Sequence, residues 1–236
     1  MQFNSLKFMI FFPVVVVIYF VIPAKIRKYW LLIASYYFYM SWNAKYAVLI
    51  GGSTVITYLC GLIVGSSSPK LTVAKKKFTL VTCIVINLGI LGLFKYWDFA
   101  IETICSFLGL FHITVAPHQF NHFLPVGISF YTFQALGYII DVYREDTPVE
   151  KDFIRYALFV SFFPQLVAGP IERSKNLLRQ MNDIENLKLW NARRVASGAI
   201  LMVWGLFMKM VIADRTSLLV DLVFDHYHMS IRELTE

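Results

Sequence analysis

Polar side chains recur at helical spacing inside one apolar stretch of the chain. Gln134 and Asp141 are seven residues apart, so they return to one face of a helix, and Tyr138 and Arg144 can share that side. Polar groups on one face of a helix inside a membrane bundle could line the path of a substrate. Alternatively, Gln134 forms a hydrogen bond between helices and Asp141 caps a helix at the interface. The residue types leave both interpretations open.

A second apolar stretch, Tyr156–Ile171, contains helix-breaking residues. Pro164 lies inside it, the pair Gly169-Pro170 lies near its end, and basic residues flank both ends. Proline removes a helical hydrogen bond and its ring clashes with the preceding turn. We therefore predict that the segment breaks and returns to the cytoplasmic side as a re-entrant element. A kinked ordinary span is the alternative.

The histidines and cysteines show no spacing typical of a metal site or a disulfide framework. Three histidines surround one predicted external loop without a nearby acid, and the other two are separated by one residue, which a strand could use for a metal but a helix could not. We predict no metal site. Motifs of hydrolases, nucleotide triphosphatases and dinucleotide-binding proteins do not occur in the sequence. The histidines are His112, His118, His122, His226 and His228, and the cysteines are Cys60, Cys83 and Cys105.

The composition is that of a membrane protein. Hydrophobic residues make up 58% of the 236 residues, charged residues make up 16%, and the mean hydropathy is +0.60. These values predict an integral membrane protein in contact with the lipid bilayer. The net charge of +7 could indicate a nucleic-acid partner. Because the lysines and arginines fall between apolar runs, as in cytoplasmic loops, we predict no such partner.

Apolar runs without charges predict the membrane crossings, each of which needs about 20 residues. Basic clusters at Lys25–Lys28 and Lys75–Lys77 place the first and third connections inside and the N-terminus outside. We predict an all-α, polytopic transmembrane helical bundle with about six or seven membrane segments, including the re-entrant element. The predicted crossings are Phe8–Ala24, Tyr29–Ala44, Tyr46–Ser68, Phe78–Phe94, Phe123–Ile140 and Val195–Ala213, with Lys95, Asp98 and Glu102 facing outward and Thr103–Val115 too short to count.

The region 172–194 is charged and amphipathic, within what we predict to be a single membrane region over 1–236. Apolar residues at a spacing of three or four predict a helix that lies in the headgroup layer on the cytoplasmic side. The following span is predicted to close at Asp214-Arg215, with Lys209 reaching toward the interface. The apolar stripe of the amphipathic helix consists of Leu177, Leu178, Met181, Ile184 and Leu187.

Three blocks of the sequence follow one another in a recognisable order. They are Leu124–Gln134 with Asp141–Arg144, then Phe162–Ile171, then Trp204–Asp214. These blocks closely resemble the membrane-bound O-acyltransferase (MBOAT) family, in its alginate O-acetylation branch. The aromatic segment Ala34–Tyr39 is also similar, so the resemblance extends over nearly the whole chain.

The resemblance implies an acyltransferase in the inner or plasma membrane. It implies transfer of an acyl group, usually acetyl, from a cytoplasmic donor such as acetyl-CoA to a hydroxyl of an extracytoplasmic polysaccharide or envelope polymer. A bound cofactor is not expected, but a periplasmic or surface acyltransferase partner is. The catalytic histidine of the family would act as a general base. It follows the third block by several tens of residues, so we expect it beyond Glu236 and assign no catalytic role here.

By resemblance the chain corresponds to the N-terminal half of such an enzyme, whose bundle contains a tunnel. A truncated gene, a split protein or a shortened binding form would each explain the length. A transporter or flippase could also use broken helices, but the Leu124–Arg144 pattern has no second copy. A non-catalytic scaffold is the third possibility. The residues that we predict to line the tunnel are Gln134, Asp141, Arg144, Pro164, Gln165, Gly169, Pro170, Glu172 and Arg173.

Overall fold

A computed structural model describes residues 3, 5–66, 72–109, 127–166, 169, 172–185 and 191–235, with backbone alone at 106, 108, 109 and 225–235. Within these ranges every regular element is helical, which confirms the all-α prediction. The elements are α1 Leu6–Val21, α2 Ala24–Met40, α3 Tyr46–Val64, α4 Val73–Gly109, α5 Ile128–Tyr143, α6 Phe153–Ser161, α7 Phe163–Leu166, α8 Ser174–Asn182, a 3₁₀ turn Asp183–Glu185, α9 Ala192–Phe207, a π-helical stretch Met208–Ala213 and α10 Asp214–Thr235.

The chain divides into two compact units. One consists of Val15–Asn186 and contains helices α2 to α8. The other consists of Gln2–Val14 with Leu187–Glu236 and contains α9 and α10. The described residues of the predicted tunnel lie in the first unit, so that unit positions the candidate site.

The core of the first unit is built on α5. This helix packs against α3 and α4, and α6 packs against α2, α3 and α5. Small residues permit the close approach of α3, because a Cβ at Gly61 would lie only 3.0 Å from the Tyr138 ring. The rings of Tyr138 and Tyr156 have centroids 4.8 Å apart, and both side chains are fully buried. Aromatic packing therefore fixes α6 against α3 and α5.

Three of the described helical segments are long and apolar enough to cross a membrane: Tyr46–Val64, Val73–Cys105 and Ala192–Phe224. Leu6–Val21 and Phe153–Leu166 are shorter apolar helices. The helices expose many large apolar side chains, as expected where lipid is the solvent. Together with the composition, these segments identify a membrane protein.

The helix that contains the fourth predicted crossing continues beyond Phe94, and the end of the crossing itself stays a prediction. α4 continues through Lys95, Asp98 and Glu102 as one helix of 37 residues. At about 1.5 Å per residue it is some 55 Å long, which exceeds the hydrocarbon thickness of about 30 Å. The charged residues therefore do not have to end the helix, because a helix can extend beyond the apolar layer.

Helical structure likewise continues beyond the last predicted crossing, since α10 extends from Asp214 to Thr235, and the end of that crossing stays a prediction. The change at this point is a six-residue π-helical stretch, Met208–Ala213. Lys209 lies within it, is exposed, and forms an ion pair with Asp214. The orientation of Lys209 toward a membrane interface stays a prediction.

The amphipathic region contains a shorter helix than its apolar pattern suggested. α8 ends at Asn182, and Leu187 lies outside the described residues. The other four members of the predicted stripe are buried in the core cluster, where α8 packs against α5 and α6. Protein therefore covers the stripe, and the position of α8 in the headgroup layer stays a prediction. The buried members are Leu177, Leu178, Met181 and Ile184.

Candidate functional site

The segment after α5 folds as a broken helix. α6 has nine residues, which at about 1.5 Å each is far too short for a bilayer core of about 30 Å. Phe162 is extended, with ψ 110°, and α7 begins at the next residue. The predicted break is confirmed, although it precedes Pro164. Proline lies in the first turn of α7, where its missing amide costs no helical hydrogen bond.

Two side chains bind the backbone groups that this break exposes. In a continuous helix the Phe163 amide would donate to the Phe159 carbonyl. Instead, Nε2 of Gln134 donates to the Phe159 carbonyl oxygen over 2.7 Å, and the Phe163 amide donates to Oγ of Ser35 over 3.2 Å. Both contacts are buried. A glutamine of α5 and a serine of α2 thus make the break tolerable in an apolar bundle.

Both ends of the broken segment meet one lysine at the start of α2. Nζ of Lys28 lies 2.7 Å from Oδ2 of Asp152 and 3.2 Å from Oε1 of Glu185. Asp152 precedes α6, where its other oxygen caps the helix by accepting from two amides, and Glu185 follows α8. The chain between Asp152 and Glu185 thus begins and ends at Lys28, and its re-entry from a membrane stays a prediction.

The ion pair stabilises both charged forms. The hydrogen bond to Asp152 raises the pKa of Lys28 above its ordinary 10.5, against the opposing effect of burial. Burial acts to raise the pKa of Asp152, but the hydrogen bonds from Lys28 and from the Arg155 amide outweigh it and lower that pKa below 3.8. The ion pair between Lys28 and Asp152 consequently stays ionised near neutral pH.

One face of α5 binds the segment that follows it. Gln134 contacts α6 as described, the hydroxyl of Tyr138 accepts from the Glu150 amide over 2.9 Å, and Oδ2 of Asp141 accepts from Oγ of Ser174 over 2.5 Å. The predicted shared helical face is therefore confirmed for these three α5 residues. Gln134 makes the interhelical hydrogen bond that the sequence offered as an alternative. Its role in lining a tunnel stays a prediction.

Asp141 meets the beginning of α8. Its partner Ser174 is the first residue of that helix and also lies 3.4 Å from Oγ1 of Thr147. A carboxylate near a helix N-terminus is favourable, because free amides and the helix dipole attract negative charge there. Asp141 thus joins the end of α5 to the start of α8.

Gly127 is a site residue that the sequence interpretation missed. It precedes α5 with φ 77°, a left-handed conformation, and a Cβ there would lie 2.5 Å from the Leu166 carbonyl oxygen. Only glycine permits both the backbone conformation and this approach of α7. The signal was present in the first resembling block, where a glycine immediately precedes an apolar helical run.

The other predicted tunnel residues are spread around the broken segment. Arg144 is exposed at the end of α5, Pro164 is exposed, and Gln165 is half-buried. The Gly169 amide donates to the Gln165 carbonyl, and a Cβ at Gly169 would lie 2.6 Å from the Cα of Gln165. Gly169 therefore lies one turn beyond Gln165 and in close contact with its backbone. Glu172 accepts from Asn176, Arg173 is exposed before α8, and Pro170 lies outside the described residues.

Two buried tyrosines from separate helices bring their hydroxyls near each other. Tyr39 of α2 and Tyr131 of α5 are 2% and 1% exposed, with ring centroids 6.5 Å apart. Each hydroxyl has the other as a polar neighbour, but within the described part of the chain neither makes a well-aligned hydrogen bond. Buried hydroxyls normally have a partner, so the pair forms one polar position inside the apolar core.

The histidines contribute no described site. His112, His118 and His122 fall outside the described residues, whereas His226 and His228 belong to the backbone of α10. Among the described residues, no three His, Cys, Asp or Glu side chains form a group able to hold a metal ion.

The chain is similar to curated bacterial proteins that modify polymers. It is 37% identical over 95% of its length to the probable alginate O-acetylase AlgI of Pseudomonas aeruginosa and covers 42% of that protein. It is 35% identical over 95% of its length to AlgI of Azotobacter vinelandii, covering 44% of it, and 35% identical over 91% to the peptidoglycan O-acetyltransferase of Helicobacter pylori, covering 45%. No family model and no solved structure matches. The chain thus spans less than half the length of these relatives.

Proposed function

Because the chain is a homologue of the AlgI-like branch of the membrane-bound O-acyltransferases, we propose that the protein containing it is an O-acetyltransferase acting on a cell-envelope polymer. The observation that supports this most is identity of 35 to 37% to proteins named O-acetylases and O-acetyltransferases, over more than nine-tenths of the chain. The acceptor is a hydroxyl of a polysaccharide or of peptidoglycan. The donor is a cytoplasmic acyl compound such as acetyl-CoA.

The broken helix suits a reaction whose two substrates come from opposite sides of a membrane. Acyl transfer between compartments needs a path through the bilayer, and irregular backbone is tolerated at that depth only inside protein or beside water. Gln134 and Ser35 bind the carbonyl and the amide that the break leaves without helical partners. We assign to this chain the support of the path and no catalytic step.

Tyr39 and Tyr131 supply a place for a polar substrate group on that path. Tyr131 lies one turn after Gly127, to which its amide donates, and Tyr39 follows Phe38, whose ring packs 5.5 Å from that of Phe163. Their chain neighbours Phe38 and Gly127 therefore contact α7. A carbonyl or hydroxyl of the transferred group would bind to these two hydroxyls, which lie near each other.

The packing supports a multi-pass arrangement with the N-terminus outside the inner membrane. Lys28 at the start of α2 binds Asp152 at the start of α6, and a Cβ on Gly65, after α3, would touch Val149 and Val142. The starts of α2 and α6 and the end of α3 therefore lie together, next to the basic sequence that favours the cytoplasmic side. A periplasmic or surface acyltransferase is the partner that would complete transfer to the polymer.

The test is the acetyl ester content of the envelope. The gene is deleted from its natural host, purified envelope polysaccharide and peptidoglycan are analysed by proton NMR, and the wild-type gene is then restored. We expect acetyl ester signals to fall on deletion and to return on complementation. Unchanged acetylation of both polymers in the deletion strain would contradict the proposal.

A further inference from the structure

α8 has two chemically different faces. Leu177 and Met181 pack into the core, whereas Lys175, Arg179 and Asn182 are exposed. The three exposed residues are four and three positions apart, so they form one stripe along the helix. This basic stripe faces away from the protein interior that holds α8 in place.

The basic stripe forms one side of a cleft. The cleft has a volume of about 550 Å³ and lies between α8 and the segment 147–151. Pro148, Val149 and Leu178 provide apolar surface in it. Its charged and amide lining residues are Glu150, Lys151, Arg155, Lys175, Arg179 and Asn182.

The positive charge in the cleft is not balanced. Of the described residues that line it, Glu150 is the one acid, and its Oε1 already lies 3.2 Å from the Arg155 guanidinium and accepts from the Asp152 amide. Among the described residues, no ion pair joins Lys151, Lys175 or Arg179 to a carboxylate. Arg155 is neutralised by Glu150, so three cations remain to act together on the space between them.

We propose that this cleft binds a ligand that carries a phosphate group next to an apolar part. Three like charges held around one space repel each other, and a phosphate relieves that repulsion while accepting charge-assisted hydrogen bonds. The apolar surface beside them accommodates carbon-rich parts of the ligand, and the volume is that of ordinary small-molecule sites. Phosphate of this kind occurs in soluble nucleotide derivatives and in phospholipid headgroups. The soluble-ligand form of the proposal rests on the proposed function, whose donor acetyl-CoA is such a nucleotide derivative, whereas the phospholipid form is independent of it.

Binding of a soluble phosphate and of a phospholipid is measured with the same variant and control. The protein containing this chain is purified in detergent, and its affinity for adenosine 3′,5′-bisphosphate is measured by calorimetry. Retention of phosphatidylglycerol from mixed phosphatidylglycerol and phosphatidylcholine micelles is measured by native mass spectrometry. The variant is Lys175→Gln with Arg179→Gln, and the control is Lys25→Gln with Lys45→Gln, which removes the same charge from exposed positions outside the cleft.

We expect the cleft variant to lose about tenfold in affinity for each cation removed, while the control keeps wild-type binding. Weaker bisphosphate binding identifies a soluble ligand, and lower phosphatidylglycerol retention identifies a lipid headgroup. Lys151→Gln, on the opposite side of the cleft, gives a second variant should the double substitution lower the melting temperature. Wild-type values for both ligands in both cleft variants would overturn the proposal.

Discussion

Gln134 and Ser35 lie on different helices and bind the two halves of one broken backbone hydrogen bond. The glutamine donates to the Phe159 carbonyl, and the serine accepts from the Phe163 amide. The break occurs where α2, α5 and α6 pack together, so neither group can reach bulk water without separating the helices. Polar side chains are therefore a structural requirement of this broken helix.

Replacement of Gln134 by leucine should lower stability. The Phe159 carbonyl would lose its donor in a buried position, at a cost of about 1 to 3 kcal/mol. The measurement is the melting temperature of the purified protein in detergent. Phe133→Leu is the control, because Phe133 is the preceding residue and is exposed. Equal melting temperatures for both variants would mean that the hydrogen bond does not stabilise the break.

Gly127→Ala should be strongly destabilising. The left-handed backbone alone costs a non-glycine residue about 1 to 2 kcal/mol, and the new Cβ would collide with the Leu166 carbonyl. Gly137→Ala on the same helix meets no atom within 4 Å, and alanine is the better helix former by about 0.5 to 1 kcal/mol. Thermal melting should therefore shift down for the first variant and not for the second. Similar shifts for both would contradict the close approach of α7.

Asp141→Ala should loosen α8 from α5. The Ser174 hydroxyl would lose its acceptor, and the N-terminus of α8 would lose a nearby negative charge worth about 0.3 to 1 kcal/mol. Hydrogen exchange followed by mass spectrometry should show faster exchange in peptides that cover α8. Asp146→Asn, an exposed acid just after α5, is the control and should leave that exchange unchanged. Unaltered exchange in the Asp141 variant would count against this link.

The ion pair between Lys28 and Asp152 should make stability depend on pH at both extremes. The pKa of Asp152 is lowered from 3.8, so its contribution is present above that value and is lost as pH falls through the lower folded pKa. The pKa of Lys28 is raised from 10.5, so its contribution is present below that value and is lost as pH rises through the higher folded pKa. Melting temperature measured against pH should therefore be level between these limits.

Asp152→Asn should remove most of this dependence, because both shifts depend on the same contact. Asp183→Asn, at an exposed acid near α8, provides the control and should keep the wild-type profile. An Asp152 variant whose melting temperature follows the wild-type pH profile would show that the ion pair contributes nothing measurable.

Gln134→Ala and Arg173→Ala should each lower polymer acetylation. The first alters the support of the broken helix, and the second removes an exposed charge between that helix and α8. Acetyl esters are measured in a deletion strain that produces each variant, with protein amount determined by immunoblot. Arg193→Ala removes an exposed charge from α9 and serves as the control. Wild-type acetylation in both test variants at normal protein amounts would exclude a role in the substrate path.

The membrane class, the helical class and the shared face of α5 could all be predicted from the amino-acid sequence alone. Apolar composition and a seven-residue spacing are local properties, so Gln134 and Asp141 could be placed together without a fold. Pro164 and the Gly169-Pro170 pair also predicted a broken segment. These conclusions need only helical geometry and the rule that lipid cannot satisfy backbone groups.

The partners of those residues and the ends of the helices depend on tertiary contacts that no local pattern shows. The position of the break depends on Ser35, which is 128 positions from its partner Phe163, and no local pattern could identify such a pair. Charges at Lys95 and Asp214 do not end their helices, because helical hydrogen bonds remain satisfied whether the surroundings are lipid or water. The apolar stripe of α8 packs against protein. Because the protein interior and lipid are both apolar, the sequence pattern alone could not show which of the two covers the stripe.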